Sequence, residues 1–224
     1  MPKRKRITGI PIEGNLHIDG FTIHRNVVTF EDKVIKYLGR QRKKAKIIFN
    51  TQLNDNKRAQ NKLSKTHPLV SDIVTFLNVV HPGYKINDWN LIVSEEGCKT
   101  QMAHCDYEPT DELRDASNEN IPLAALIAIN DNTTLRVWKK SIHLCTKTSD
   151  ELEPVKPIGY NDVYLNHGDI LVFRGDLVHA GSAYDEVNMR IHVFMDTQAV
   201  KRDPNRTMIV SKHMNEQMRR IIVE

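Results

Sequence analysis

Residues 121–129 read Ile-Pro-Leu-Ala-Ala-Leu-Ile-Ala-Ile, the most apolar stretch of the chain. The stretch is far shorter than the roughly 18 apolar residues of a membrane-spanning helix, so it predicts a strand in a protein core. From about residue 88 onward, other short runs rich in β-branched residues alternate with turn residues, which is typical of sheets. The predicted strands cover residues 89–94, 99–106, 122–130, 134–139, 170–173, 178–181 and 190–196.

The first 87 residues have a different pattern, which predicts a basic tail and helices that support the sheet. Residues 71–80 follow Pro68 and are apolar on one side, as in a half-buried helix. A second helix is predicted after Thr29, because an acidic residue follows three positions later and Val34 and Leu38 lie one turn apart. Residues 20–24 predict a short strand, residues 52–66 a polar loop or exposed helix, and residues 212–223 a C-terminal helix.

Length and composition fit a single globular domain. The chain has 224 residues, of which 40% are hydrophobic and 27% charged, and a chain of this length can bury a core without disulfides or structural metals. The order of elements predicts an α+β protein with a sandwich or barrel centre. We expect a basic tail and helical region in residues 1–87, the sheet core in residues 88–200, and a helix within residues 201–224.

The cysteines and the N-terminus indicate a compartment inside the cell. Cys98, Cys105 and Cys145 show no Cys-x-x-Cys spacing, which argues against a disulfide framework and a zinc ribbon. The basic residues 3–6 are not followed by the apolar region of a secretory signal. We therefore expect an intracellular protein, cytoplasmic or nuclear, without membrane partners. Residues 3–6 fit either a nuclear address or a basic tail.

The pattern His-x-Asp occurs three times, at residues 17–19, 104–106 and 167–169. On a strand, residues i and i+2 point to the same face, so such a pair can bind one metal ion together. Residues 17–19 precede the predicted sheet core, and residues 167–169 belong to a turn, so we interpret both as structural. His104 and Asp106 instead end a predicted strand, which makes them candidate metal ligands.

His179 supplies a third candidate ligand, because it lies in another predicted strand of the same core. Two histidines and one carboxylate on one face of the metal are typical of non-heme Fe(II) oxygenases. Further along, Arg190 begins the strand over residues 190–196. A buried arginine needs an anionic partner, and a dicarboxylate cosubstrate would supply one.

These elements, in this order, resemble the Fe(II)- and 2-oxoglutarate-dependent oxygenases, in particular their phytanoyl-hydroxylase and prolyl-hydroxylase branches. The resemblance covers residues 89–196, about half of the chain. Its parts are residues 94–98 leading to Gln101, His104-x-Asp106, the apolar run 122–129, residues 137–143, the run 168–173, residues 179–181 and Arg190. The resemblance implies a double-stranded β-helix, or jelly roll, in residues 88–200 with the N-terminal helices packed on one sheet.

The resemblance also implies the chemistry. His104, Asp106 and His179 would bind Fe(II), and Arg190 would pair with the far carboxylate of 2-oxoglutarate. O2 would then be used to hydroxylate a protein side chain or a small molecule, with succinate and CO2 as co-products.

Three further residues are candidates for the cosubstrate pocket. His192 shares a strand face with Arg190, so it lines the pocket if Arg190 points inward; the alternative is a hydrogen-bonded interior histidine. Gln101 and Asn90 are candidates at the pocket mouth, the alternative being ordinary solvated polar residues.

Two other functions stay open. The pI near 8.9 permits binding to nucleic acid, so the same chemistry on a modified base, as an oxidase or demethylase, is one alternative. The other is a non-catalytic jelly-roll binding module whose metal site is structural or vestigial. The basic runs behind the first alternative are residues 3–6, 40–46, 57–58, 139–140, 201–202 and 219–220.

Overall fold

The computed structural model describes residues 12–47, 57–64, 67–107, 120–139, 141, 159–202 and 208–210. The interpretations of residues 3–6 and of the C-terminal helix at residues 212–223 lie outside this described part. Neither of the helices in it is long and apolar enough to cross a membrane.

The described part contains two helices and thirteen strands. The helices are α1 (Asp32–Arg42) and α2 (Pro68–Val80). The strands are β1 (Ile12–Glu13), β2 (Phe21–His24), β3 (Lys46–Ile47), β4 (Arg58–Lys62), β5 (Lys85–Ser94), β6 (His104–Cys105), β7 (Leu123–Ala128), β8 (Thr133–Val137), β9 (Asn161–Leu165), β10 (Ile170–Arg174), β11 (His179–Gly181), β12 (Asn188–Asp196) and β13 (Met208–Ile209).

The strands form two antiparallel sheets. The large sheet has the order β1-β2-β10-β7-β12-β5-β4-β3, and the small sheet has the order β13-β6-β11-β8-β9. Chain neighbours such as β10 and β11 lie in different sheets, so the chain passes back and forth between the two layers. This confirms the predicted α+β fold with a double-stranded β-helix core.

Two apolar layers lie on opposite faces of the large sheet, and β7 contributes to both. Leu123, Ala125 and Ile127 pack in the layer that includes the helices, whereas Ala124 and Leu126 pack in the layer between the sheets. Because alternate residues of a strand face opposite ways, a strand buried on both faces must be apolar throughout. This explains why residues 121–129 are the most apolar stretch of the sequence.

The helices cover the outer face of the large sheet, as predicted. Helix α2 begins at Pro68, where the missing N–H costs nothing, and the His67 side chain accepts a hydrogen bond from the Leu69 amide. Helix α1 begins at Asp32, after an extended Glu31, and so starts later than the predicted position at Thr29. The buried residues that the two helices contribute are Val34, Leu38, Leu69, Val70, Ile73, Phe76 and Leu77.

Several strands differ from the sequence-based expectations. Of the strand predicted over residues 99–106, only His104–Cys105 is a strand, and β13 was not predicted. Residues 58–62, expected in a polar loop or exposed helix, form β4, which pairs with β5 in the large sheet. Strand β9 was not predicted, and it pairs with β8 at the edge of the small sheet. Only Arg58 is buried in β4, and only Val163 and Leu165 are buried in β9. Most residues of both strands are therefore polar, and it is pairing with other strands that makes these segments extended.

Candidate metal centre

The small sheet brings His104 and His179 together. Strands β6 and β11 pair antiparallel with these two residues directly opposite each other. Their side chains therefore leave the same face of the sheet, and the ring centroids lie 4.5 Å apart. The remaining predicted ligand, Asp106, directly follows β6, and its Oδ1 atom lies 3.7 Å from Nε2 of His179.

The three side chains form one compact group. One ligand atom from each of His104, Asp106 and His179 lies within 4.8 Å of the other two, and all three residues are buried. Among the described residues, no other group of three or more histidines, cysteines and carboxylates is this close.

Backbone contacts orient both imidazoles. The Nδ1 atom of His104 donates to the Met102 carbonyl at 2.7 Å, and Nδ1 of His179 donates to the Leu177 carbonyl at 3.0 Å. Because a carbonyl oxygen only accepts, Nδ1 carries the proton in each ring, and Nε2 presents its lone pair to the other members of the group. In metal-binding histidines, the ring nitrogen that does not bind the metal usually donates a hydrogen bond of this kind, which fixes the orientation of the ring.

The charge state of the group also suits a divalent cation. Burial, together with the neighbouring His179 ring, lowers the pKa of His104 to about 3, and burial lowers the pKa of His179 as well. For Asp106, burial acts to raise the pKa, but the rings of His179 and His192 outweigh it and keep the pKa below its usual value. At neutral pH the group therefore presents two neutral imidazoles and one carboxylate.

One carboxylate oxygen of Asp106 has no hydrogen-bond partner in the described part of the chain. The Oδ2 atom is buried and accepts no hydrogen bond from any described residue. The Nε2 atom of His192 lies 3.3 Å from it, which is longer than a typical charge-assisted hydrogen bond. A buried carboxylate oxygen without a partner is costly, and a metal ion at this position would satisfy it. The residues present therefore fit a metal ion.

Arg190 lies on β12 and is buried, with 3% of its surface exposed. Its Nη1 atom donates to the Ser94 hydroxyl at 2.9 Å, and its guanidinium lies 5.6 Å from the centre of the Tyr184 ring. Within the described part of the chain, no acidic side chain forms an ion pair with Arg190. A buried cation of this kind favours an anionic ligand.

The other predicted pocket residues lie around Arg190. His192 is on the same face of β12, and Asn90 of β5 is directly opposite His192. The Gln101 carbonyl oxygen accepts from the Gly181 amide at 2.8 Å, and the Asn90 amide donates to the backbone of its own strand. A side chain at Gly181 would collide with Gln101 and approach Arg190 to 3.4 Å, so glycine keeps this region open.

Three residues near the group were not predicted. Ser94 contacts Arg190, as described above. Arg58, which is 1% exposed, donates to the Ser182 carbonyl at 2.7 Å and so supports the segment after β11. Arg202 donates from Nε to the Asp106 carbonyl at 3.2 Å. The predicted end of the strand at residue 94 was a signal for Ser94, whereas Arg58 and Arg202 lay in segments that looked like basic surface.

The fold also has known relatives. A scan against protein-family models finds no match, and a search of curated proteins finds none either. Among solved structures, the epimerase SnoN in complex with Fe3+, α-ketoglutarate and nogalamycin RO is 14% identical, with a TM-score of 0.60; the match covers 87% of this chain and 91% of SnoN.

Two further structures extend this comparison. HygX from Streptomyces hygroscopicus, with nickel, 2-oxoglutarate and hygromycin B bound, is 10% identical with a TM-score of 0.58, over 91% of this chain and 96% of HygX. A prolyl hydroxylase from Trichoplax adhaerens, in complex with a hypoxia inducible factor peptide fragment, is 12% identical with a TM-score of 0.54, over 82% of this chain and 86% of that enzyme. At these identities the likeness is one of fold, and it confirms the fold that the sequence resemblance implied.

Proposed function

We propose that this chain is an Fe(II)- and 2-oxoglutarate-dependent oxygenase. The observation that carries the proposal is the convergence of the buried side chains of His104, Asp106 and His179, whose ligand atoms lie within 4.8 Å of one another. Two histidines and a carboxylate leave open coordination positions on iron. Iron or nickel together with 2-oxoglutarate in SnoN and HygX, which share this fold, supports the choice of cofactor and cosubstrate.

In this proposal His104, Asp106 and His179 would hold Fe(II), and the bound metal with 2-oxoglutarate would supply the O2 chemistry that oxidises a substrate C–H bond. The hydrogen bonds from Nδ1 to the Met102 and Leu177 carbonyls fix each ring, so that Nε2 stays directed at the metal position. The Asp106 carboxylate supplies the negative charge that favours a divalent cation over water in this buried site.

Arg190 would bind the far carboxylate of 2-oxoglutarate. The Ser94 hydroxyl accepts from Nη1 of Arg190 and so limits its rotation, leaving the other guanidinium donors for the ligand. His192 and Gln101 border this region, and Asn90 lies opposite His192; we propose that all three line the cosubstrate pocket.

Apolar side chains keep water away from the reacting position. The Phe173 ring packs against His179, with centroids 4.9 Å apart, and against His192 at 5.9 Å. Exclusion of water strengthens the electrostatic interactions of the ligands and limits side reactions.

Hydroxylation of a protein side chain or a small molecule is the reaction that we propose. Enzymes of this fold in complex with a peptide and with hygromycin B support both substrate classes. The nucleic-acid alternative rests only on the basic charge, which here is distributed over several separate segments.

The test uses the full chain prepared without oxygen. We expect Fe(II) and 2-oxoglutarate together to give the visible charge-transfer band of the chelate, and admission of O2 to give succinate without added substrate. His104→Ala should remove both signals, because it removes a ligand. Arg190→Met should raise the 2-oxoglutarate concentration needed for the band by about 10- to 100-fold while Fe(II) still binds, since a charge-assisted contact is lost.

His17→Ala is the matched control, because this residue also precedes an aspartate at i+2 but is exposed. If the chain binds no Fe(II), or binds it and gives neither band nor succinate, the oxygenase proposal is wrong and the non-catalytic binding module is favoured.

A further inference from the structure

Arg202 lies beside the candidate metal centre although it is distant from it in sequence. Its Nε atom donates to the carbonyl oxygen of Asp106 at 3.2 Å, and its own backbone amide donates to Oδ1 of Asp196 at 3.1 Å. The side chain of Arg202 is therefore held against Asp106, and its backbone is held against Asp196 at the end of β12.

An aromatic ring fixes the guanidinium further. The Cζ atom of Arg202 lies 3.9 Å from the centre of the Phe194 ring, which is within the range of a cation–π contact. Phe194 in turn packs against His192, with ring centroids 4.6 Å apart. These contacts hold the Arg202 guanidinium close to both His192 and Asp106.

Within the described residues, the carboxylate nearest to Arg202 along the chain is that of Asp196, and it forms no ion pair with the Arg202 guanidinium. Asp196 accepts from the Tyr107 hydroxyl at 2.9 Å and from the Asn87 amide at 2.8 Å, and it contacts only the backbone of Arg202. Among the described residues, no side chain forms an ion pair with Arg202. In the described part of the chain its charge therefore has no ion-pair partner, although the residue is only partly exposed.

Arg136 shows how this chain pairs an arginine in a similar setting. Its Cζ atom lies 3.6 Å from the centre of the Tyr160 ring, and its Nε and Nη2 atoms donate to the Asp162 carboxylate at 3.0 and 3.2 Å. Both arginines lie over an aromatic ring, but among the described residues only Arg136 is paired with a carboxylate. No carboxylate in the described part of the chain pairs with Arg202 as Asp162 pairs with Arg136.

The cosubstrate proposed above is not the missing anion. Arg190 and Phe194 are four residues apart on β12, which corresponds to about 13 Å along an extended strand. His192 lies between them. Arg190 and Arg202 therefore flank the candidate metal centre at two separate places.

We infer that Arg202 binds an oxyanion, a carboxylate or a phosphate, that belongs to the primary substrate. The inference rests on the proposed function for the meaning of "substrate", but the anion site itself does not require bound metal. The Nη1 and Nη2 atoms of Arg202 donate to no described residue and match the two oxygens of a carboxylate or phosphate, and Nε keeps them beside Asp106. A substrate with such a group would be held close to the oxidising position.

The test measures the side-chain Nε–Hε signals of arginine by NMR in the full chain. The probes are sodium acetate and methyl phosphate, added at constant ionic strength with chloride as the balancing anion. The Arg202 signal is identified by its loss in Arg202→Gln, and the Arg136 signal serves as the internal control. The titration is run on the metal-free chain and again with Zn(II) and 2-oxoglutarate, which are diamagnetic.

We expect a saturable shift of the Arg202 signal with acetate or methyl phosphate and no saturable shift of the Arg136 signal. The probe that saturates at the lower concentration identifies the substrate group as carboxylate or phosphate. If the Arg202 signal follows the Arg136 signal in both preparations, the inference is overturned. Failure of Zn(II) to bind would contradict the proposed function, whereas the metal-free titration would still decide the role of Arg202.

Discussion

His104-Cys105-Asp106 and His167-Gly168-Asp169 contain the same two functional side chains at the same spacing, in opposite environments. The Asp169 carboxylate accepts from Nη1 of Arg25 at 2.7 Å and from the amides of Asn26 and Asn166 at 2.9 Å. In Asp106 one carboxylate oxygen accepts no hydrogen bond from any described residue. One aspartate is saturated by its own chain, and the other is left able to bind something else.

The local backbone explains this difference. Gly168 has a φ of +84°, so the chain turns at residues 166–169 and the carboxylate folds back onto neighbouring amides. His104 and Cys105 instead belong to a strand that pairs with β11 and β13, so their backbone groups are used by the sheet. The spacing alone does not select a metal site; the element that carries the pair does.

The largest expected difference between the two motifs is in metal binding. Asp106→Asn should weaken Zn(II) or Ni(II) binding more than about 100-fold, because it removes a ligand. This loss exceeds the one usually seen when a residue that only hydrogen-bonds to a ligand is replaced. Asp169→Asn should leave the affinity unchanged, because its carboxylate is already used within the chain. Isothermal titration calorimetry of both variants measures this. Equal losses in the two variants would contradict the assignment of the centre.

The two substitutions should change the free energy of unfolding in opposite directions. Asp169→Asn should lower the free energy of unfolding by about 2–3 kcal/mol, because three donors lose a charged acceptor and the new amide turns N–H groups toward them. In the metal-free chain, Asp106→Asn should raise it by up to about 1 kcal/mol, since a buried and incompletely paired charge is removed. Urea unfolding of the metal-free variants compares the two. A stability loss in Asp106→Asn as large as that in Asp169→Asn would show that Asp106 has a structural role.

The residues between the histidine and the aspartate, Cys105 and Gly168, should also differ in how much their replacement lowers stability. A side chain at Gly168 would collide with the carbonyl oxygen of Val28, and the positive φ disfavours any other residue, so Gly168→Ala should cost about 2 kcal/mol or more. Cys105 is buried in a regular strand and faces away from its neighbours His104 and Asp106, so Cys105→Ala should cost only about 1 kcal/mol. Thermal unfolding measures both. If Gly168→Ala costs no more than Cys105→Ala, the turn does not require glycine.

The features of the fold and the site that the sequence predicted are those that depend on a local residue pattern. The apolar run at residues 121–129 predicted β7, one-sided helical spacing predicted α2, and strand ends predicted His104 and His179 as neighbours in space. The resemblance supplied the order of the core. Each of these features can be read from residues close together in the chain.

The remaining features depend on pairing between distant segments. Strand β4 has the composition of a surface loop, and only its pairing with β5 makes it a strand and buries Arg58. Arg202 is one of two adjacent basic residues in the sequence, and its position is set by Asp106 and Phe194. No local pattern distinguishes such residues from solvated ones, because the contacts that matter are not local.

The third His-x-Asp pair sets the baseline for the comparison and has the smallest expected effect. His17 is exposed, and Asp19 lies 3.1 Å from Nζ of Lys139 in a partly exposed ion pair. His17→Ala should change the free energy of unfolding by less than about 0.5 kcal/mol, and Asp19→Asn by no more than about 1 kcal/mol, because surface ion pairs contribute little. Neither should alter metal affinity. A loss of Zn(II) or Ni(II) binding in His17→Ala would mean that metal binding in this chain does not depend on the convergence of His104, Asp106 and His179 alone.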